Sequence, residues 1–160
     1  MVTQEEMKRF IELQQIALDF ARNGNTNELE KMIDAGLNVN LADSKGNTLL
    51  MLASYNGNYE TAKMLLEKGA DTEKRNDRGQ TPLGGVAFKG YLKIADILIK
   101  HNADINANQG GGKTPLMFAA VFGNKKMAEF LIKKGAKKQK LLGIDVMSIN
   151  LLTSKIKEIL

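Results

Sequence analysis

The chain has 160 residues, 43% hydrophobic and 26% charged, with two prolines, no cysteine and one histidine, a size and composition that suit one ordinary domain. Collagen, low-complexity sequence and a membrane bundle are excluded, as are disulfides, thiolate metal sites, cysteine nucleophiles and any paired-histidine metal site within one chain. The net charge of +5 is carried by the C-terminal end: residues 1–100 hold 13 Lys/Arg against 14 Asp/Glu, residues 101–160 hold 10 Lys against 4 Asp/Glu.

In chain order, the dominant feature is self-similarity with a period of 33 residues. Gly46, Gly79 and Gly112 fall in register, as do Thr48, Thr81 and Thr114, then Leu50, Leu83 and Leu116, then Gly57, Gly90 and Gly123. The register continues through Leu65, Leu98 and Leu131 to Ala70, Ala103 and Ala136 without a gap. A weaker copy precedes these, with Gly24, Met32, Ile33 and Gly36 at the matching places. The expected layout is a single domain: an N-terminal capping repeat over about 4–42, full repeats over 43–75, 76–108 and 109–141, and a C-terminal capping helix over 142–160.

Each copy reads as a polar turn followed by two short helices. In the third, Asn76 to Gln80 form the turn, and Thr81-Pro82-Leu83 opens a helix whose Thr can satisfy an orphan N–H and whose Pro loses nothing in the first turn. Gly90 ends that helix, and a second runs from about Leu92 to Lys100 with Ile94, Ala95, Leu98 and Ile99 on one face. Asn25, Asn58 and Asn124 stand where their side chains can cap the second helices, which stop at Gly36, Gly69, Asn102 and Gly135, residues suited to a left-handed terminus. Gly84-Gly85 lies inside a helix, which reads as a soft point in the stack or as a place where something approaches the backbone closely, with softness preferred. Residues 141–160 fit the period poorly but read as a helix capped by Asp145 or Ser148, with Leu151, Leu152, Ile156 and Ile159 at helical spacing. Two such short helices cannot bury their shared face alone, so the fold class expected is an all-α solenoid of stacked helix-turn-helix units.

The period, together with Gly-Gln-Thr-Pro-Leu at 79–83, Gly-Lys-Thr-Pro-Leu at 112–116 and Lys-Gly-Ala-Asp at 68–71, resembles ankyrin repeats over about residues 17–140. The family usually has His after Thr-Pro-Leu, where this chain has Met51, Gly84 and Met117, so the usual Thr–His hydrogen bond is not expected. The resemblance implies a protein-binding module whose partner lies along a concave groove. By register, the groove positions are Arg22, Tyr55, Asn56, Phe88, Lys89, Val121 and Phe122, and the hairpin-tip positions are Lys45, Asn47, Arg75, Arg78, Gln80 and Lys113. Tyr55, Phe88 and Phe122 would form an aromatic ladder with a positive rim from Arg75, Arg78, Lys89 and Lys113, which favours an acidic protein partner.

No catalytic constellation is evident, and no cofactor is expected. Gly110-Gly111-Gly112-Lys113-Thr114 mimics the end of a phosphate-binding loop, but Ala107 stands where its first glycine belongs and no hydrophobic strand precedes it. The acids are turn residues or scattered along helix surfaces, and His101 reads as a cation near a helix C-terminus. Compact bacterial ankyrin proteins that the chain resembles include some encoded beside catalases, which implies an alternative role in haem supply or assembly with His101 as candidate ligand. A second alternative is an anionic-surface or nucleic-acid contact through Lys133, Lys134, Lys137, Lys138 and Lys140, but this patch has no arginine and no interleaved aromatic, so nucleic acid is not expected. With no membrane-length apolar run and an acidic opening, no membrane insertion is expected, and a cytoplasmic monomer is the simplest expectation, with Leu141, Leu142 and Leu160 as residues through which copies could pair.

Overall fold

A computed structural model describes residues 2–138, 140–141, 144–145 and 148. The chain divides into two compact units, the first ending at Asp71 and the second beginning at Thr72. The first unit contains α1 (Gln4–Asn23), α2 (Thr26–Asp34), α3 (Leu49–Tyr55) and α4 (Tyr59–Glu67). The second contains α5 (Pro82–Lys89), α6 (Leu92–Lys100), α7 (Pro115–Val121) and α8 (Lys125–Lys133), followed by two-residue strands β1 (Lys140–Leu141) and β2 (Ile144–Asp145). The strands are antiparallel, with Lys140 opposite Asp145 and Leu141 opposite Ile144. Asp145 is thus in a strand and not at a helix start, Ser148 is helical, and Leu151, Leu152, Ile156 and Ile159 lie outside the described residues.

The 33-residue register is the register of the core. Leu50, Leu83 and Leu116 on the first helices and Leu65, Leu98 and Leu131 on the second are buried, and small Ala53, Ala62, Ala87, Ala95, Ala120 and Ala128 let neighbouring helices approach. The second helices end as the sequence implies: Gly36, Gly69 and Gly135 have φ of +102°, +85° and +100°, and Asn102 has +66°.

The expected roles of the cap asparagines are corrected. Asn58 and Asn124 sit at the N-caps of α4 and α8 but make no side-chain bond there. Instead Asn58 Nδ2 donates to the carbonyls of Ala21 (3.0 Å) and Arg22 (2.8 Å), and Asn124 Nδ2 donates to those of Ala87 and Phe88. These carbonyls lie in the last turns of α1 and α5, where no intrahelical donor remains for them. The side chain that looked like an N-cap of its own helix therefore satisfies the C-terminus of the first helix one repeat earlier. A second tie recurs in the 33-residue register: Asn40, Glu73 and Asn106 accept from the backbone N–H of Asp71, Asp104 and Lys137 at 2.8, 2.9 and 2.8 Å.

Gly84 is a close-approach position and not a soft one. A Cβ built there would stand 2.0 Å from Gln109 Oε1. Gln109 is 2% exposed, accepts from the Thr81 backbone N–H at 2.8 Å, and donates to Thr81 Oγ1 at 2.9 Å and the Ala107 carbonyl at 3.1 Å. Its amide fills the space beside α5, and for this reason Thr81 makes no side-chain cap bond, whereas Thr48 and Thr114 accept from Met51 and Met117 N–H. The inward turn of Gln109 also displaces the hairpin. Asp43 and Asn76 fold their tips by accepting two backbone N–H bonds each, and the residue in register with them is Gln109, so Asn108 takes over by accepting from Gly110 and Gly112. Gly110, at φ +90°, passes so near the Arg78 carbonyl that a Cβ would be 2.5 Å from it. Gly110 answers to this crowding, whereas Gly111 and Gly112 answer to left-handed φ values of +60° and +75°.

Gly84→Ala should displace Gln109 and cost about 1–3 kcal/mol in urea unfolding. Gln109→Ala should lose a comparable amount through the unpaired Thr81 N–H, and the double variant should lose less than the sum. Ser54, wholly buried in α3 with an unpaired hydroxyl, stands in register with Ala21, Ala87 and Ala120. Ser54→Ala should stabilise by about 1 kcal/mol and raise Tm by about 2–4 °C in a thermal melt.

Candidate binding surface

In the first unit, the hairpin tip and α1 face one another across an open cleft of about 590 Å³. Its walls include Arg22, Lys45 and Asn47, all named by the repeat register, and also Ile11, Gln14 and Leu18 of α1, which were not singled out from the sequence. They lie along α1, which with 20 residues is the longest of the described helices. Thr3 caps it: Thr3 Oγ1 accepts from Glu6 N–H at 3.2 Å and Thr3 N–H donates to Glu6 Oε2 at 2.7 Å. The Thr-x-x-Glu spacing at 3–6 carried that signal in the sequence. The added turns leave Met7, Phe10 and Ile11 at least half exposed. Tyr55, at the end of α3, is 44% exposed, and Asn56 beside it donates to the Leu52 carbonyl at 2.8 Å and so helps terminate that helix.

Arg22 reaches Asp19 at 2.7 Å and Asp43 at 3.3 Å. Burial pushes the Asp43 carboxyl up, but the Asn47 side chain, the Asn47 and Lys45 backbone N–H groups and the Arg22 charge together outweigh it and hold Asp43 below its ordinary value of 3.8. The carboxylate is therefore both the turn-former of this tip and the anchor of Arg22.

In the second unit, the first-helix ends bring three rings together. Phe88 and Phe122 meet edge to face with centroids 4.4 Å apart at 79°, and Phe118 meets Phe122 at 6.5 Å and 76°. Phe88 is half-buried by this contact, while Phe122 stays 50% and Val121 40% exposed. Among the tip residues, Arg75 donates to the carbonyls of Gly79 (2.9 Å) and Asn108, tying one hairpin to the next, and Gln80 Oε1 accepts from Asn76 Nδ2 at 3.2 Å. Arg78, Lys89 and Lys113 are exposed.

The second helices carry a different chemistry. Lys68 bridges from α4 to Glu30 (3.2 Å) and Asp34 (2.6 Å) of α2, and Lys134 bridges to Asp96 of α6 at 2.7 Å, two repeats further on. Lys134 also lies 5.4 Å from the Phe130 ring centroid, so one lysine of the C-terminal cluster is committed locally. Bonds from Lys100 and Lys134 hold the Asp96 carboxyl below its ordinary value. His101 is exposed at the C-cap of α6. Among the described residues, no group of three or more His, Asp or Glu is arranged to hold a metal ion, and no helix is long and apolar enough to cross a membrane.

Paired short helices in a 33-residue register, with tight hairpins projecting between pairs, define an all-α repeat protein. The model of the family described as ankyrin repeats (3 copies) matches residues 13–76 and 71–141, and the chain belongs to the ankyrin-repeat family. A stretch of 37 residues is 54% identical to part of an ankyrin repeat protein of Pseudomonas aeruginosa, PA3287. It covers 23% of this chain and spans 22% of the length of that relative. The family is typically non-enzymatic, and its repeats generally serve as protein–protein interaction modules.

Because the Asp43 carboxyl is depressed, its contribution to stability is present above about pH 4 and is lost as pH falls through and below that value. Asp43→Asn should keep the turn, as Asn76 does, but cost about 0.5–1 kcal/mol at pH 7 by releasing Arg22. Melts between pH 6 and pH 3 should show a shallower acid decline for the variant than for the parent protein.

Proposed function

We propose that this protein is a non-catalytic interaction module that binds another protein through the exposed ends of its first helices and its hairpin tips, and that the partner surface is acidic. The observation that carries this reading is Phe122, half exposed and yet packed nearly at right angles against Phe88 and Phe118. A large ring left in water and immobilised beforehand loses little entropy on contact, the property of a binding hot spot. Tyr55 occupies the corresponding helix end in the first unit, and Arg78, Lys89 and Lys113 surround the second unit's rings with positive charge. Among the described residues the carboxylates are scattered and no base converges on them, and the family is typically non-enzymatic, which supports a non-catalytic role.

The test is an affinity pull-down from cell extract with Tyr55→Ala/Phe122→Ala, followed by mass spectrometry, with circular dichroism as the folding check. Both side chains are exposed, so helicity should be kept while specific partners are depleted at least tenfold. A folded double variant that recovers the same partners at the same yield overturns the reading.

A further inference from the structure

We infer that the second unit alone carries the anchor site, and that its ligand is an acidic peptide segment bearing one aromatic side chain, which packs on Phe122 while its carboxylates meet Arg78, Lys89 and Lys113. This rests on the protein-binding reading above and specifies the partner's chemistry and the half of the chain that reads it.

The charge distribution between the units supplies the first argument. Residues 1–71 hold 7 Lys/Arg against 11 Asp/Glu, a net −4, whereas residues 72–160 hold 16 against 7, a net +9. On the side of the second unit formed by first helices and tips, the imbalance is sharper still. Neither α5 (PLGGVAFK) nor α7 (PLMFAAV) contains an acid, and the two hairpins contribute Arg75, Arg78 and Lys113 against Asp77. Asp96 lies on a second helix and is bound by Lys100 and Lys134, and Glu73 accepts from the Asp104 backbone. An acidic segment is steered to this side and repelled from the first unit.

The ring geometry supplies the second argument. Phe88 and Phe118 both meet Phe122 nearly at right angles, so the cluster presents one exposed ring, fixed in place and ready for a further edge-to-face partner. Single-stranded RNA also seeks cations and aromatics, but it needs successive open faces for successive bases, and three rings packed on each other's edges supply only one. The first unit offers Tyr55 on a stretch of chain whose net charge is −4, which disfavours both ligands.

The chain contains no tryptophan, so a tryptophan in the ligand is the sole indole emitter. The probe is a twelve-residue peptide of Glu and Ser with one central Trp, titrated with full-length protein at low salt. Binding should blue-shift the Trp emission and saturate. Phe122→Ala should weaken it about tenfold or more, and Arg78→Glu/Lys113→Glu by a similar factor, whereas Lys45→Glu in the first unit should change it less than twofold. Phe122→Leu, which keeps an apolar side chain, should fall between parent and alanine. A version with Lys for Glu should not bind, and a twelve-nucleotide single-stranded RNA should compete poorly. The inference is overturned if the peptide does not bind, if Lys45→Glu weakens it as much as Phe122→Ala, or if the RNA displaces it stoichiometrically. If the peptide fails while cellular partners are still lost on Tyr55→Ala/Phe122→Ala, the protein-binding reading stands and only this ligand chemistry falls.

Discussion

A helix of seven residues and another of nine cannot keep a shared apolar face dry without a neighbour, and every other feature of this chain follows from supplying that neighbour at a fixed spacing. Burial of leucines from both helices of a pair, with the alanines and methionines beside them, provides the cohesion. Polar ties set the spacing: Asn58 and Asn124 reach back to the free carbonyls of the preceding first helix, and Asn40, Glu73 and Asn106 reach forward to a backbone N–H in the next turn. Hydrogen bonds of this kind add little net energy each, but leaving the carbonyls unpaired in a half-buried position is costly, so the ties favour one register over its neighbours.

The repeat frame, the helix pairs and the left-handed termini were legible in the sequence because each is a local consequence of residue type at a short spacing. Gly90 ends α5 and Asn102 follows α6 where the period places them. What was not legible depends on what lies across space from a residue. Asn124 has the chemistry of an N-cap, and only the nearness of the α5 carbonyls redirects it. Gly84 looks like a weakness until Gln109, from the hairpin of the next repeat, is seen in its place. The Asn40, Glu73 and Asn106 tie was hidden for a different reason: the shared property is an acceptor oxygen, not a residue identity.

The candidate surface shows the same division. Register located the ends of the first helices and the tips, but it treated each position as equivalent. The structure sorts them: Asn56, Arg75 and Gln80 spend their polar atoms on helix ends and hairpins, whereas Phe122 and Val121 keep their apolar surface in water. The α1 wall beside Arg22, Lys45 and Asn47 belongs to the weakest copy of the repeat, where register marks few positions, and the Thr3–Glu6 capping box is the signal that announces its long helix. A scaffold made rigid by neighbour contacts leaves its tips and helix ends free to vary, so charge differs sharply between residues 1–71 and 72–160 while the core positions scarcely change.

The most direct measurement of the central claim is far-ultraviolet circular dichroism of a peptide spanning residues 76–108, one full period with both of its helices, beside the intact chain. If stacking on neighbours is what keeps each pair folded, the peptide should show little helix at 25 °C and no cooperative melt, while the whole protein shows both. A peptide that is as helical per residue as the intact chain and melts cooperatively would contradict the account.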